Sequence, residues 1–227
     1  MPEIGSSTVT NKSAAAGAVT AFSAITVTAG DAIVLWGAIY DGSASGTISD
    51  SVNGTWSNMS FAYNATSNQA VAGAYLLNSA AGSIVVTLTL DISRALTISV
   101  AAIRKARVLN RAIVFESMTS AGTSHDGYST GLNLNPNSMV FLAAAHDVAP
   151  GTSTVPNYTI RQNSGASIRG MMAYRNTVDR INGETGAYTT VDPAMDQTMM
   201  FALMADGDSF VSAHPQRNIR TSGRVRV

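Results

Sequence analysis

The fold is decided by residues 83–103: Ser83-Ile84-Val85-Val86-Thr87-Leu88-Thr89-Leu90-Asp91-Ile92-Ser93-Arg94-Ala95-Leu96-Thr97-Ile98-Ser99-Val100-Ala101-Ala102-Ile103. Ile84, Val86, Leu88 and Leu90 alternate with Val85, Thr87 and Thr89. Leu96, Ile98 and Val100 alternate with Thr97, Ser99 and Ala101. Apolar spacing of two with β-branched residues means strands that bury one face. The polar break Asp91-Ile92-Ser93-Arg94 has the length of a four-residue hairpin loop, so the two runs are predicted to form a hairpin.

More strands precede it. Residues 21–28 alternate through Ile25 and Val27, and Ala29-Gly30-Asp31 is a turn signal. Residues 32–40 are almost wholly apolar, with Trp36 near the middle. A Gly/Ser loop spans 41–46, and Asn53-Gly54 before Thr55-Trp56 is a strong turn signal. Residues 70–78 form another apolar strand. Beyond the predicted hairpin, residues 104–115 carry competing helical and strand spacings, with Val108-Leu109 and Ala112–Phe115 favouring a strand. Residues 117–130 read as a polar connector.

After residue 130 the pattern returns. Met139–Ala145 follows a polar turn, as Ala32–Tyr40 does. Ala173-Tyr174 matches Ala74-Tyr75, and residues 186–204 match 82–103, predicting a final hairpin from 188–191 and 198–204. A period near 100 residues is too long for a solenoid and suggests equivalent halves. The expectation is an all-β, antiparallel, jelly-roll-like β-sandwich. Its two similar halves, about 21–116 and 130–205, could be two sandwiches or interleave into one; one is favoured, because residues 117–130 lack a clear linker composition and each half has only about five strands. Residues 1–20 are an N-terminal arm or edge strand, and 206–227 a C-terminal extended basic arm.

Composition narrows the chemistry. The 227 residues include no Cys, which excludes disulfides, thiolate catalysis and Cys-ligated zinc. Charged residues are 12%, well below an average of about 25%. Surfaces with few charges are suited to packing against copies of themselves. The formal net charge is zero, yet beyond Asp208 come Arg217, Arg220, Arg224 and Arg226 with no acid. Arg104, Lys105, Arg107 and Arg111 form a second basic run, open to an acidic partner surface; nucleic acid is the minor reading. The N-terminus has no secretory signal pattern and no stretch is apolar enough for a membrane helix.

The Ala29-Gly30-Asp31 turn, the Asp50-Ser51-Val52-Asn53-Gly54-Thr55-Trp56 turn, the Ala74-Tyr75 strand, the 83–90 strand and the second copy together resemble β-sandwich proteins of tailed-phage virions. The resemblance covers roughly residues 22–204. It implies a non-enzymatic capsid decoration or cement protein, or a tail accessory, made in the host cytoplasm and carried in the virion. It implies capsid or other virion proteins and further copies of the chain as partners, with no catalytic residues and no cofactor. A jelly-roll capsid shell protein, or a carbohydrate-binding module of a phage tail or cell surface, is the alternative.

Other chemistry is thin. His125-Asp126 and His146-Asp147 are histidine–acid neighbours that would make a metal site only if their loops met. His214 has no adjacent acid. No Gly-x-Ser-x-Gly elbow occurs, and the three glutamates Glu3, Glu116 and Glu184 form no suggestive pair. The loops at 41–43 and 50–53 offer oxygen ligands, but too few for a calcium loop. Trp56 is the candidate for stacking on a sugar, and Trp36 reads as core. The alternating Arg224-Val225-Arg226-Val227, with Arg217 and Arg220 before it, could add a strand to a neighbour's sheet edge.

Overall fold

The computed structural model describes residues 1–13, 17–40, 45–118, 120–148, 151–163 and 169–205. The described residues form an all-β, antiparallel β-sandwich architecture without helix. The first half contains β1 (Glu3–Lys12), β2 (Val19–Ala21), β3 (Ile25–Val27), β4 (Ala32–Tyr40), β5 (Gly46–Asp50), β6 (Gly54–Thr55), β7 (Met59–Asn64), β8 (Gln69–Leu76), β9 (Gly82–Ile84), β10 (Val86–Leu90) and β11 (Ala95–Arg104). The second contains β12 (Ala106–Ser117), β13 (Gly122–His125), β14 (Leu132–Leu134), β15 (Ser138–His146), β16 (Ser153–Thr154), β17 (Thr159–Gln162), β18 (Gly170–Thr177), β19 (Ile181–Glu184), β20 (Tyr188–Ala194) and β21 (Asp196–Ala205).

Each half is a jelly roll. The first pairs its strands as β1-β11-β4-β8-β7 in one sheet and β2-β10-β5-β6 in the other, with β3-β9 extending the latter's course. Counting β2/β3, β6/β7 and β9/β10 as single interrupted strands, the orders are 1-8-3-6-5 and 2-7-4-5, with strand 5 pairing in both sheets, the double Greek key of a jelly roll. The second half repeats this as β12-β21-β15-β18-β17 opposite β13-β20-β16, with β14-β19 alongside.

The five-stranded sheets pack on each other, giving four layers. β4 lies against β15, β8 against β21, β7 against β12 and β11 against β18, while Arg161 of β17 donates to Ser7 of β1 at 2.6 Å. Strand order is therefore reversed across the interface, as in a two-fold dimer. Three cores result. One fills the first jelly roll around Leu35, Ile48 and Leu88, and another fills the second around Leu142, Met171 and Tyr188. The third joins the halves through Trp36, Phe141 and Phe201. Every residue of β4 and β15 is buried. These strands face a core on both sides, which explains their unbroken apolar runs.

Several expectations are corrected. β10 and β11 are not a hairpin: β10 pairs with β2 and β5, and β11 with β1 and β4. The 91–94 loop crosses from one sheet to the other. The same holds for β20 and β21, so 188–191 and 198–204 are not a hairpin either. The halves do not interleave into one sandwich; each closes its own. Their boundary lies at Lys105, in the left-handed region at φ 61°, because β12 pairs with β21 and belongs to the second half. The 117–130 connector contains β13. Of the two expectations for residues 1–20, β1 takes the edge-strand one. By contrast, the Asn53-Gly54 turn does join paired strands, β5 and β6.

Candidate functional site

Four strands of the second jelly roll each deliver one polar side chain to its interior. On the inner sheet, β15 and β21 pair with His146 directly opposite Asp196. On the outer sheet, β13 and β20 pair with His125 directly opposite Tyr188. Directly opposed residues share a face. Two cross-strand pairs thus meet across the sandwich.

The Asp196 carboxylate is their centre. His146 Nδ1 lies 2.6 Å from Oδ1 and His125 Nδ1 lies 3.0 Å from Oδ2, with all three side chains fully buried. The Tyr188 hydroxyl donates to Oδ2 as well. The His125 ring stacks on Tyr188, with centroids 4.9 Å apart. Its Nε2 lies 3.2 Å from Thr190 Oγ1, and Met118 Sδ lies 2.9 Å from its Nδ1. Burial pushes the Asp196 carboxyl up, but the hydrogen bonds from His125 and His146 outweigh it and hold the group well below the usual carboxylate range. Burial first, and then Asp196, push the Tyr188 hydroxyl well above its ordinary value.

Donor counting assigns the protons. Thr190 Oγ1 donates its hydrogen to Asp192 O at 2.8 Å. It can then accept from His125 Nε2, while His125 Nδ1 faces the Asp196 carboxylate, so both ring nitrogens are placed as donors. His146 Nε2 is buried with no partner among the described residues. An N–H there would face no acceptor among the described residues, whereas a lone pair needs none. Asn64 of the first jelly roll braces it, donating to Met118 O at 2.8 Å and Asp196 O at 3.0 Å.

Sequence reasoning singles out both histidines but gives them the wrong acids. Asp147 instead accepts from the Met195 backbone N–H at 2.9 Å. Asp196 escapes it because only the β15–β21 register brings that residue to His146. No group of His, Asp and Glu among the described residues has metal-ligand geometry. The cluster is sealed from solvent, and its chemistry is the holding of protons and strands.

The remaining candidates lie elsewhere. Trp56 is corrected: it is 5% exposed, and its Nε1 donates to Asp50 Oδ2 at 2.7 Å. It seals the first core and presents no sugar platform. Asp50 also accepts from the Val52 and Asn53 backbone N–H groups at 2.8 and 2.6 Å, so its oxygens close the turn rather than offer calcium ligands. The basic run occupies the junction between the halves. Arg104 covers Gly5, Arg107 covers Gly30, Lys105 pairs with Glu3 at 3.3 Å, and Arg111 donates to Asn110 O at 2.9 Å. Arg217, Arg220, Arg224, Val225, Arg226, Val227 and His214, and the 41–43 loop, lie outside the described residues. Glu116 and Glu184 each serve locally: Glu116 accepts from Ser129 N, and Glu184 pairs with Arg175 at 2.9 Å. A groove of about 220 Å³ runs along the seam between β7 and β12, lined by Asn58, Met59, Tyr75 and Ile113 among others.

No family model matches the chain, and no curated protein sequence matches it. Among solved structures it is similar to a serine-to-alanine mutant of Bacillus subtilis oxalate decarboxylase OxdC, 7% identical over 88% of this chain and 74% of that one, with a TM-score of 0.20. A likeness at that level carries no argument about fold or function.

Proposed function

We propose that this chain is a non-enzymatic virion structural protein of the capsid decoration or cement type, which binds a capsid or neighbouring copies through its sandwich faces and its Arg-rich C-terminal arm. The observation that carries this reading is the character of the outer sheets. Outward positions on β2, β5 and β10 are Val19, Ala21, Thr47, Ser49, Thr87 and Thr89; on β13, β16 and β20 they include Ser124, Thr154, Thr189 and Val191. Such faces bring almost no charge to be desolvated on contact with another protein. The polar cluster of the second jelly roll is shut off from solvent, which fits a building block better than a catalyst. The jelly-roll strand order favours one further reading, a shell protein, since that architecture also builds capsids.

Light scattering of the full chain and of a version ending at Asp208, followed by incubation of each with stripped capsids, tests this. Full-length protein is expected to bind the pre-formed capsid or form defined oligomers, and the truncated one to lose that property. Assembly of closed shells from the protein alone would favour the shell reading. If both versions stay monomeric without capsid affinity, the assembly reading fails.

A further inference from the structure

We propose that the His125–Asp196–His146–Tyr188 cluster is an acid-sensitive latch: uptake of one proton by His146 releases the outer sheet β13-β20-β16 from the inner sheet of the second jelly roll, while the first jelly roll stays closed. This is independent of the assembly reading. The latch spans the sandwich, with His146 and Asp196 on the inner sheet and His125 and Tyr188 on the outer one. The contacts between Asp196 and both outer-sheet side chains tie the layers together at this end.

The charge balance makes the tie conditional. In the closed cluster His125 already neutralises Asp196, and each donor except those on Thr190 and His125 Nε2 points at the one carboxylate. A second imidazolium would add a net positive charge to a fully buried site, with its new Nε2–H facing no acceptor among the described residues. Relief requires water to reach His146, which requires β13 and β20 to move away.

Among the described residues no charged group other than Asp196 hydrogen-bonds the His146 ring. On β20 Tyr188 stays neutral, and Asp192 offers its backbone oxygen to Thr190. On the β13 side, Asp126 follows His125 and is half-buried. Asp147, next in the chain, bonds the Met195 backbone. Just before β18, Arg169 presents its backbone oxygen to His146 N at 2.6 Å. From the first half the neutral Asn64 donates to Asp196 O at 3.0 Å. The first jelly roll has no buried histidine among its described residues, so the response is confined to one half.

Hydrogen exchange read by mass spectrometry on the full chain tests the latch, at about pH 7.5 and about pH 5, on either side of the ordinary histidine range. Rates are corrected for the intrinsic pH dependence of exchange. Peptides covering β13 and β20 are expected to open about tenfold more per pH unit below roughly 6.5, the slope of a single linked proton. Peptides of β2, β5 and β10 should not change. In His146→Asn the side-chain amide can still donate to Asp196 but cannot gain charge, so the acid response should vanish. Imidazole ¹⁵N shifts of the wild-type chain give a check that does not depend on that variant folding. At neutral pH His125 should show two protonated nitrogens and His146 one. Equal loosening of both jelly rolls, an acid response that persists in His146→Asn, or a doubly protonated His146 at neutral pH would each overturn the proposal.

Discussion

Asp196 shows how one residue can be both costly and necessary. A carboxylate with no solvent contact is tolerated because three donors converge on it, from His125, His146 and Tyr188. Replacing it with Asn keeps the shape but leaves the His125 charge buried without its counter-ion. Asp196→Asn is therefore expected to cost roughly 3–5 kcal/mol, the usual range for breaking a buried pair, and denaturant midpoints at constant slope would measure it. A loss below about 1 kcal/mol would show that His125 is not charged in the folded protein. The pH dependence of Asp196 itself has a definite sign. Its carboxyl is held below the value it has when unfolded, near 3.9, so its contribution is complete above that value and is lost only as pH falls further. Any weakening that sets in above that value therefore has a source other than Asp196. Trp56 makes the same point in the first half, where a side chain whose place after a turn suggests a ligand platform is committed to Asp50 and the core.

At the level of the strand, β4 carries its strictest requirement at Gly37. A Cβ there would lie 2.3 Å from Thr97 O and 2.7 Å from Ile98 Cα, both backbone atoms of the paired β11. Neither can move without parting the two strands. Gly37→Ala is expected to destabilise by roughly 1–3 kcal/mol, as overpacking does. Gly122→Ala, whose Cβ would meet nothing closer than 3.9 Å, should stay within about 0.5 kcal/mol. Thermal melts of the two variants side by side would decide it, and equal midpoints would mean that β4 and β11 can separate at Gly37 without penalty. The same strands show how far an amino-acid sequence discloses its fold. Their existence is legible in it, because β-branched residues at a spacing of two, and unbroken runs such as 32–40 and 139–145, can hardly form anything else. Their partners are not. Alternation in 86–90 and 95–104 records which side chains are buried, and a strand that stays in its sheet gives the same record as one that crosses to the next. β12 reads ambiguously because three register shifts against β21 break its period. β13 leaves no signal because Gly122–His125 has no apolar residue, and its one inward side chain is a histidine. The cluster is hidden for the same reason: His146 and Asp196 are fifty positions apart and meet only through register.

Across the whole molecule, the middle core decides whether two jelly rolls behave as one protein. Trp36 of the first meets Phe141 of the second edge-on at 5.1 Å, and Phe141 stacks on Phe201 at 4.7 Å. These rings sit on inner sheets whose other faces already line the separate cores, so unfolding either half would expose a broad apolar face on the survivor. Neither inner sheet has the polar outward face that lets an antiparallel sheet stand in water. The halves should therefore melt together at neutral pH, despite being closed sandwiches with a single covalent crossing at Lys105. Calorimetry is expected to give one transition whose calorimetric and van't Hoff enthalpies agree. Phe141→Ala should lower that single transition, at a cost of roughly 3–5 kcal/mol, because the cavity opens at the joint that both halves share. Two resolved transitions in the wild-type chain, or a Phe141→Ala change that moves only part of the melt, would mean that each jelly roll is stable alone and that the middle core merely docks them.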